Sequence, residues 1–201
     1  MKNKIYKKIK NLYSNYNGYS LENKDTYYKK KAKNNSDLAS TYGEIVPQAV
    51  SKMIDIFKVN ENDVFFDLGC GNGKVVTQYY LETNCAASYG VEFSTTRYKQ
   101  CLEIKEKIKK ENARQIDFFR GNFAKPKIDL SKGTLFYLCS TCFSSDVMYK
   151  IWTKINQSKN LKAIMALTRF PENCDFSRLK HQESTDFKCT WATSTGYIYW
   201  F

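Results

Sequence analysis

The sequence predicts an α/β fold, a mostly parallel seven-stranded sheet with helices on both faces. Three observations carry this expectation. From residue 38 onward, short apolar runs alternate with stretches of helical period, the pattern of strand–helix–strand crossovers. The first run, Val64-Phe-Phe-Asp-Leu68, passes directly into Gly69-Cys-Gly-Asn-Gly73, and an apolar strand ending in a glycine-rich turn marks a buried parallel strand. The last twenty residues, ending Gly196-Tyr-Ile-Tyr-Trp-Phe201, read as a closing pair of strands.

Each element follows from local pattern. Pro47 suits a helix's first turn, and Val50, Met53, Ile54 and Phe57 recur at helical spacing, so a helix is expected over 47–58. The strand at 64–68 leads through its turn to a helix at 73–82. A second strand spans 88–92. A charged helix over 94–112 offers Tyr98, Cys101, Leu102, Ile104 and Ile108 to an inner side. Strands are expected at 116–119, 134–138 and 162–168, with a helix at 146–156. In such a sheet ligands bind at the carboxyl ends of the strands.

At 201 residues the chain has the length of one domain, enough to bury a large core. No run of eighteen apolar residues occurs, so no membrane span is expected, and residues 1–10 lack the apolar core of a signal peptide. An intracellular protein is the expectation. Its seven Cys are odd in number and lack a framework spacing, so they read as free thiols. Cys139-Ser-Thr-Cys142 has the form of a redox or metal pair. A zinc site would need two further ligands and His181 is the sole His, so no metal is expected and the two thiols read as buried or pocket-lining.

Charge divides the chain. Residues 1–37 form a basic arm rich in Lys, Tyr and Asn, and residues 38–201 form the folded domain. Ten Lys against Glu22 and Asp25 give residues 1–34 +8 of the total +12. Tyr6, Tyr13, Tyr16, Tyr19, Tyr27 and Tyr28 lie among those Lys. Such an arm suits a phosphate backbone with bases to stack on, or an acidic protein surface. A genome rich in A/T codons would give the same composition without any binding role. Ile5, Ile9, Leu12 and Tyr13 share one helical face.

The chemistry starts at Asp67, Leu68, Gly69, Cys70, Gly71, Asn72, Gly73 and Lys74. Glycines let backbone turn sharply and approach a ligand closely. The dinucleotide fingerprint spaces its glycines as Gly-x-Gly-x-x-Gly to seat a pyrophosphate. Here the spacing is Gly-x-Gly-x-Gly behind an acid, which suits a ligand with an ammonium group and no phosphate, as in adenosylmethionine. The bland reading is a tight turn. Glu92 closes the second strand 19 residues after Gly73, where a carboxylate can accept both ribose hydroxyls. After the third strand, Phe123 suits packing on an adenine and Asn122 suits accepting from its amino group, or the two belong to an ordinary turn.

Several blocks then run in order: Thr41-Tyr-Gly-Glu44, the 47–58 helix, Val64-Phe-Phe-Asp-Leu-Gly-Cys-Gly-Asn-Gly-Lys-Val-Val-Thr-Gln78, Thr83-Asn-Cys85, Tyr89-Gly-Val-Glu92 and Gly121-Asn-Phe123. Together they closely resemble the non-SET histone lysine methyltransferases named for disruption of telomeric silencing. The resemblance covers about residues 38–201 and is densest between 41 and 92. It implies a Rossmann-like class I methyltransferase fold and S-adenosyl-L-methionine as cofactor. Cofactor contacts are implied for Tyr42, Gly43, Glu44 and Ile45, for the turn at 67–74, and for Glu92, Asn122 and Phe123. The family usually has Asp at the position of Asn122, and a carbonyl acceptor survives that change.

The acceptor end departs from the family. Two Asn followed by Phe-x-Phe are usual there, the first Asn helping to build a channel for the target lysine. Here Cys139 and Ser140 stand in the Asn positions, Thr141 follows, and Phe143 is retained. The Ser-Thr-Cys-Phe run resembles a broader set of related methyltransferases. Thr190-Trp191 and Tyr199 resemble the family's closing strands, where a Trp and a Tyr enclose the channel. From the residues alone, Trp191 and Tyr199 read as core aromatics. The resemblance implies a protein substrate, a histone or nucleosome included. An RNA or small-molecule methyltransferase on the same fold, and a non-catalytic module that binds a nucleosome or nucleic acid through residues 1–34, are the competing readings.

Overall fold

The computed structural model describes residues 2–21, 25, 42–108, 114–122 and 129–201. Seven strands form one sheet: β1 Val64–Leu68, β2 Ala87–Glu92, β3 Gln115–Arg120, β4 Leu135–Leu138, β5 Ala163–Ala166, β6 His181–Lys188 and β7 Thr193–Trp200. Their order is β3-β2-β1-β4-β5-β7-β6. The pairs β3–β2, β2–β1, β1–β4 and β4–β5 are parallel, while β7 runs antiparallel to both β5 and β6. The mostly parallel seven-stranded sheet expected from the sequence is therefore present. Strand order reverses between β1 and β4, and in open α/β sheets such a switch point, at the carboxyl ends of the strands, is where ligands bind.

Among the described residues the helices are α1 Lys2–Leu12, α2 Pro47–Phe57, α3 Lys74–Glu82, α4 Thr95–Lys107 and α5 Ser145–Ile155. Alternation along the strands sets the two layers. On one face Phe65, Leu135, Tyr137, Met165 and Ile198 pack with α2 and with Val75 and Tyr79 of α3. On the other, Phe66, Leu68, Phe136, Leu138 and Ile164 pack with Met148, Ile151, Trp152 and Ile155 of α5.

The N-terminal segment does not stand apart over its described length. Ile9 and Tyr13 are buried in a cluster with Val76 and Tyr80 of α3, Cys101 and Ile104 of α4, and Phe118 of β3. This is the apolar face that the spacing of Ile5, Ile9, Leu12 and Tyr13 marks. The buried Tyr13 hydroxyl hydrogen-bonds Thr77 Oγ1 at 2.8 Å, which satisfies both polar groups. Boundaries shift by a few residues. The fifth strand stops at Ala166, short of the expected 168, because Thr168 turns away to bond Ser140.

Candidate functional site

The turn after β1 sits at the switch point. Gly69, Gly71 and Gly73 have φ of 91°, 58° and 87°, the left-handed region open to glycine at little cost. Space excludes side chains as well. A Cβ on Gly71 would lie 2.5 Å from Tyr42 Cε2, and one on Gly73 would lie 2.5 Å from Phe118 Cε1. The turn is pinned to β2, with Gly69 N–H and Cys70 N–H both donating to the Val91 carbonyl at 2.9 and 3.1 Å.

Glu92 ends β2 directly opposite. It is 4% exposed, and its two carboxylate oxygens accept from Gly71 N–H (2.8 Å) and Ser94 N–H (2.7 Å). Burial pushes its carboxyl above the usual range, while Arg97 and the backbone donors pull the other way. Asp67 is 2% exposed and its Oδ1 has no hydrogen-bond partner. Burial, then the neighbouring Glu92 charge, raises its carboxyl well above the usual value. Asn72 is fully buried in the turn and its Nδ2 likewise lacks a partner. Orphaned buried polar atoms cost free energy, so Asp67 and Asn72 are set to receive polar groups of a ligand.

The loop ahead of α2 forms the near wall. The Tyr42 hydroxyl lies in hydrogen-bond reach of the Glu44 carboxylate and of Asn72 Oδ1 (2.9 Å), and Lys74 Nζ donates to Glu44 Oε2 at 2.7 Å. The loop is zipped to the β6–β7 turn. Ile45 bridges Cys189, Val46 N–H donates to the Lys188 carbonyl (3.0 Å), and Thr190 N–H donates to the Glu44 carbonyl (2.8 Å). Gly121 N–H donates to the Glu92 carbonyl at 3.0 Å, which puts exposed Asn122 at the same end of the sheet. Phe123 lies outside the described residues.

The structure separates the acceptor residues that the sequence groups together. Cys139 directly follows β4 beside the near wall, its Sγ 3.9 Å from the Gly43 carbonyl. Trp191 covers Gly43 from the other side: a Cβ there would lie 2.3 Å from Trp191 Cζ3. Both therefore lie against Gly43, and Trp191 is 45% exposed. Thr141 is exposed in a short 3-10 turn, Ser140–Cys142. Phe143, half-buried, packs against the α5-side cluster.

Two of these side chains are turned into the fold. Ser140 is fully buried, and its hydroxyl oxygen accepts from Thr168 N–H (3.0 Å) and the Thr168 hydroxyl (2.8 Å). Its hydroxyl is therefore engaged within the fold. Tyr199 is 1% exposed, lies on the α5 side among Trp152, Phe170 and Phe176, and its hydroxyl accepts from Phe170 N–H at 3.2 Å. It is a core aromatic rather than a channel wall.

Other residues at the site escaped the sequence reading. Arg97, 4% exposed, places its guanidinium 4.7 Å from the centre of the Tyr42 ring. Its signal was Ser94, whose side chain caps α4 by accepting from Arg97 N–H. Gly18, Tyr19 and Asp25 also reach the site, and a Lys-rich run of no periodicity held no signal for them.

The donor set fits adenosylmethionine on observations of this structure. Asp67 presents an acid whose Oδ1 is unpaired for an ammonium, and Glu92 retains lone pairs for two ribose hydroxyls. Comparisons agree in fold. The methyltransferase domain of bacterial CtHen1-CN superposes with a TM-score of 0.57 at 12% identity, covering 77% of this chain and 98% of that one. An RNA methyltransferase from Salinibacter ruber, crystallised with S-adenosyl-L-homocysteine, gives 0.55 at 21% identity over 76% and 90%. Among sequence relatives, the H3 lysine-79 specific histone-lysine N-methyltransferase of Caenorhabditis elegans is 24% identical over 178 residues, 78% of this chain and 19% of the relative. A protein-lysine N-methyltransferase of Saccharolobus islandicus is 31% identical over 88 residues, 44% of this chain and 52% of the relative. The chain thus spans about a fifth of one relative and about half of the other. The family model described as histone methylation protein DOT1 matches residues 25–190, and on that match the chain belongs to the DOT1 family.

Proposed function

We propose that the chain is an S-adenosyl-L-methionine-dependent methyltransferase acting on a protein lysine, with histone lysines as the first substrates to test. The observation that carries the reading is Asp67, buried at the glycine turn with its Oδ1 unpaired and close enough to Glu92 to feel its charge. Bound there, the cofactor would supply a methyl group already activated on a sulfonium. The chain's own residues then have three tasks. Asp67 holds the ammonium, Glu92 holds the ribose, and Gly43, Cys139 and Trp191 shape the mouth through which an acceptor enters. Burial pushes the Cys139 thiol up to about 12, so it stays protonated and uncharged at neutral pH. A weakly polar mouth favours the neutral form of an entering lysine, the form that can attack.

A specific observation favours a second reading, an RNA or small-molecule acceptor. Ser140, in a position where the family has Asn, is sealed off and bonded to Thr168, so the acceptor wall differs from the family's. The exposed Lys4, Lys7 and Lys8 on α1, with Lys107, frame a groove that suits phosphate. An intracellular location goes with either reading, and no described helix is long and apolar enough to cross a membrane.

Tritium transfer from labelled adenosylmethionine, run in parallel on nucleosomes, free core histones, total cell protein and total RNA, is the test. Label on a histone lysine supports the first reading. Label on RNA alone overturns it for the second. No label anywhere, with cofactor binding confirmed by calorimetry, points to a non-catalytic module.

A further inference from the structure

Asp25 sits in the basic segment, yet it is 5% exposed and docked on the first turn of α4. Its Oδ1 accepts from Thr95 N–H at 2.7 Å. Its Oδ2 accepts from the Ser94 hydroxyl (3.0 Å), from Thr96 N–H (3.3 Å) and from the Thr96 hydroxyl. Ser94 is the hinge of this arrangement, because its hydroxyl goes to Asp25 while its backbone N–H goes to Glu92 at 2.7 Å. A second tie lies alongside. Arg97 Nε donates to the Gly18 carbonyl at 2.8 Å, and the Arg97 guanidinium stacks on Tyr42. Gly18 backbone presses on the same ring, since a Cβ on Gly18 would lie 2.0 Å from Tyr42 Cζ. Tyr19 meets that ring edge-on at 5.1 Å. Tyr42 in turn covers Gly71.

We infer that Asp25, with Gly18 and Arg97, is a positioning element of the cofactor site: it holds the α4 N-terminus, and through Ser94 the Glu92 carboxylate, in the geometry that receives ribose. The inference rests on the cofactor reading of Glu92 given above. It assigns the N-terminal segment two separable parts. The buried contacts of Gly18 and Asp25 build the pocket, whereas Lys4, Lys7 and Lys8 point to solvent and take no part in it.

The test uses the full chain and S-adenosylhomocysteine, titrated by calorimetry well below the melting midpoint of every variant. Asp25→Asn keeps the shape but loses the charge that four donors share. It is expected to weaken binding about tenfold, the weight of one charge-assisted hydrogen bond. Asp25→Glu should recover part of the loss, and replacement of Lys4, Lys7 and Lys8 by Gln should leave binding unchanged. Asp25→Asn binding within about twofold of wild type, with only the melting midpoint lowered, overturns the inference and makes Asp25 a plain helix cap. Should Asp25→Asn fail to fold, Gly18→Ala, which displaces Tyr42, takes its place under the same criterion. A wild-type chain that does not bind the probe overturns the cofactor reading itself, a result distinct from wild-type binding with indifferent variants.

Discussion

Replacing Glu92 by Gln tests the cofactor half of the site most directly. The carboxylate accepts two backbone N–H bonds, from Gly71 at 2.8 Å and from Ser94 at 2.7 Å. An amide has one carbonyl oxygen, so Gln keeps one acceptor and turns an NH2 toward the other N–H. Losing a hydrogen bond to a charged acceptor costs about 1.5–3 kcal/mol, and the stranded donor adds to it. Relief works against this, because burial disfavours the charged form of Glu92 and a neutral side chain escapes that penalty. We expect a net loss near 2 kcal/mol, which for a chain of this length is a melting midpoint lower by roughly 4–8 °C. Binding should suffer more. The two ribose hydroxyls lose a charged acceptor, for a fall in S-adenosylhomocysteine affinity of about ten- to a hundredfold. Calorimetric titration and thermal denaturation measure the two effects separately. An affinity unchanged from wild type would refute the ribose role, whatever the midpoint did.

Tyr199→Phe should cost about 1 kcal/mol, since Phe170 N–H loses its buried acceptor, and should leave cofactor affinity and methyl transfer unchanged. Slower transfer at an unaltered midpoint would restore Tyr199 to the channel wall. Stability of the unliganded chain should also depend on pH through Asp67 and Glu92, both raised above their ordinary values of 3.8 and 4.5 by burial. A raised carboxyl holds its proton more tightly in the folded state, so its contribution is full below those ordinary values and is lost as pH rises through the folded ones. Melting midpoints measured against pH should therefore fall over that window, less steeply with S-adenosylhomocysteine bound and less steeply in Asp67→Asn. An Asp67→Asn slope equal to wild type would remove Asp67 from the account.

The cofactor half was legible in the sequence because its constraints are local. Three glycines two residues apart, an acid ahead of them and an acid ending the next strand are all fixed by backbone geometry within one crossover. The acceptor half was only partly legible. Its members come from the 42–45 loop, the end of β4 and the β6–β7 turn, and which face each side chain takes depends on strand alternation near the sheet's end. Tyr199 and Ile198 differ by one residue, and that step sends Ile198 to the α2 side and Tyr199 to the α5 side. The N-terminal segment was least legible. Its Lys content describes the solvent face of α1, while its fold-specific information rests in Ile9, Tyr13, Gly18 and Asp25, and the hydrogen bonds of the last three reach partners 64 or more positions away. A codon-biased composition can supply the Lys, but it does not place a buried acid against Ser94, Thr95 and Thr96. Charge therefore says little about how this segment is held: among its described residues, Ile9 and Tyr13 pack on α3 and α4, and Gly18 and Asp25 dock on Arg97 and the start of α4.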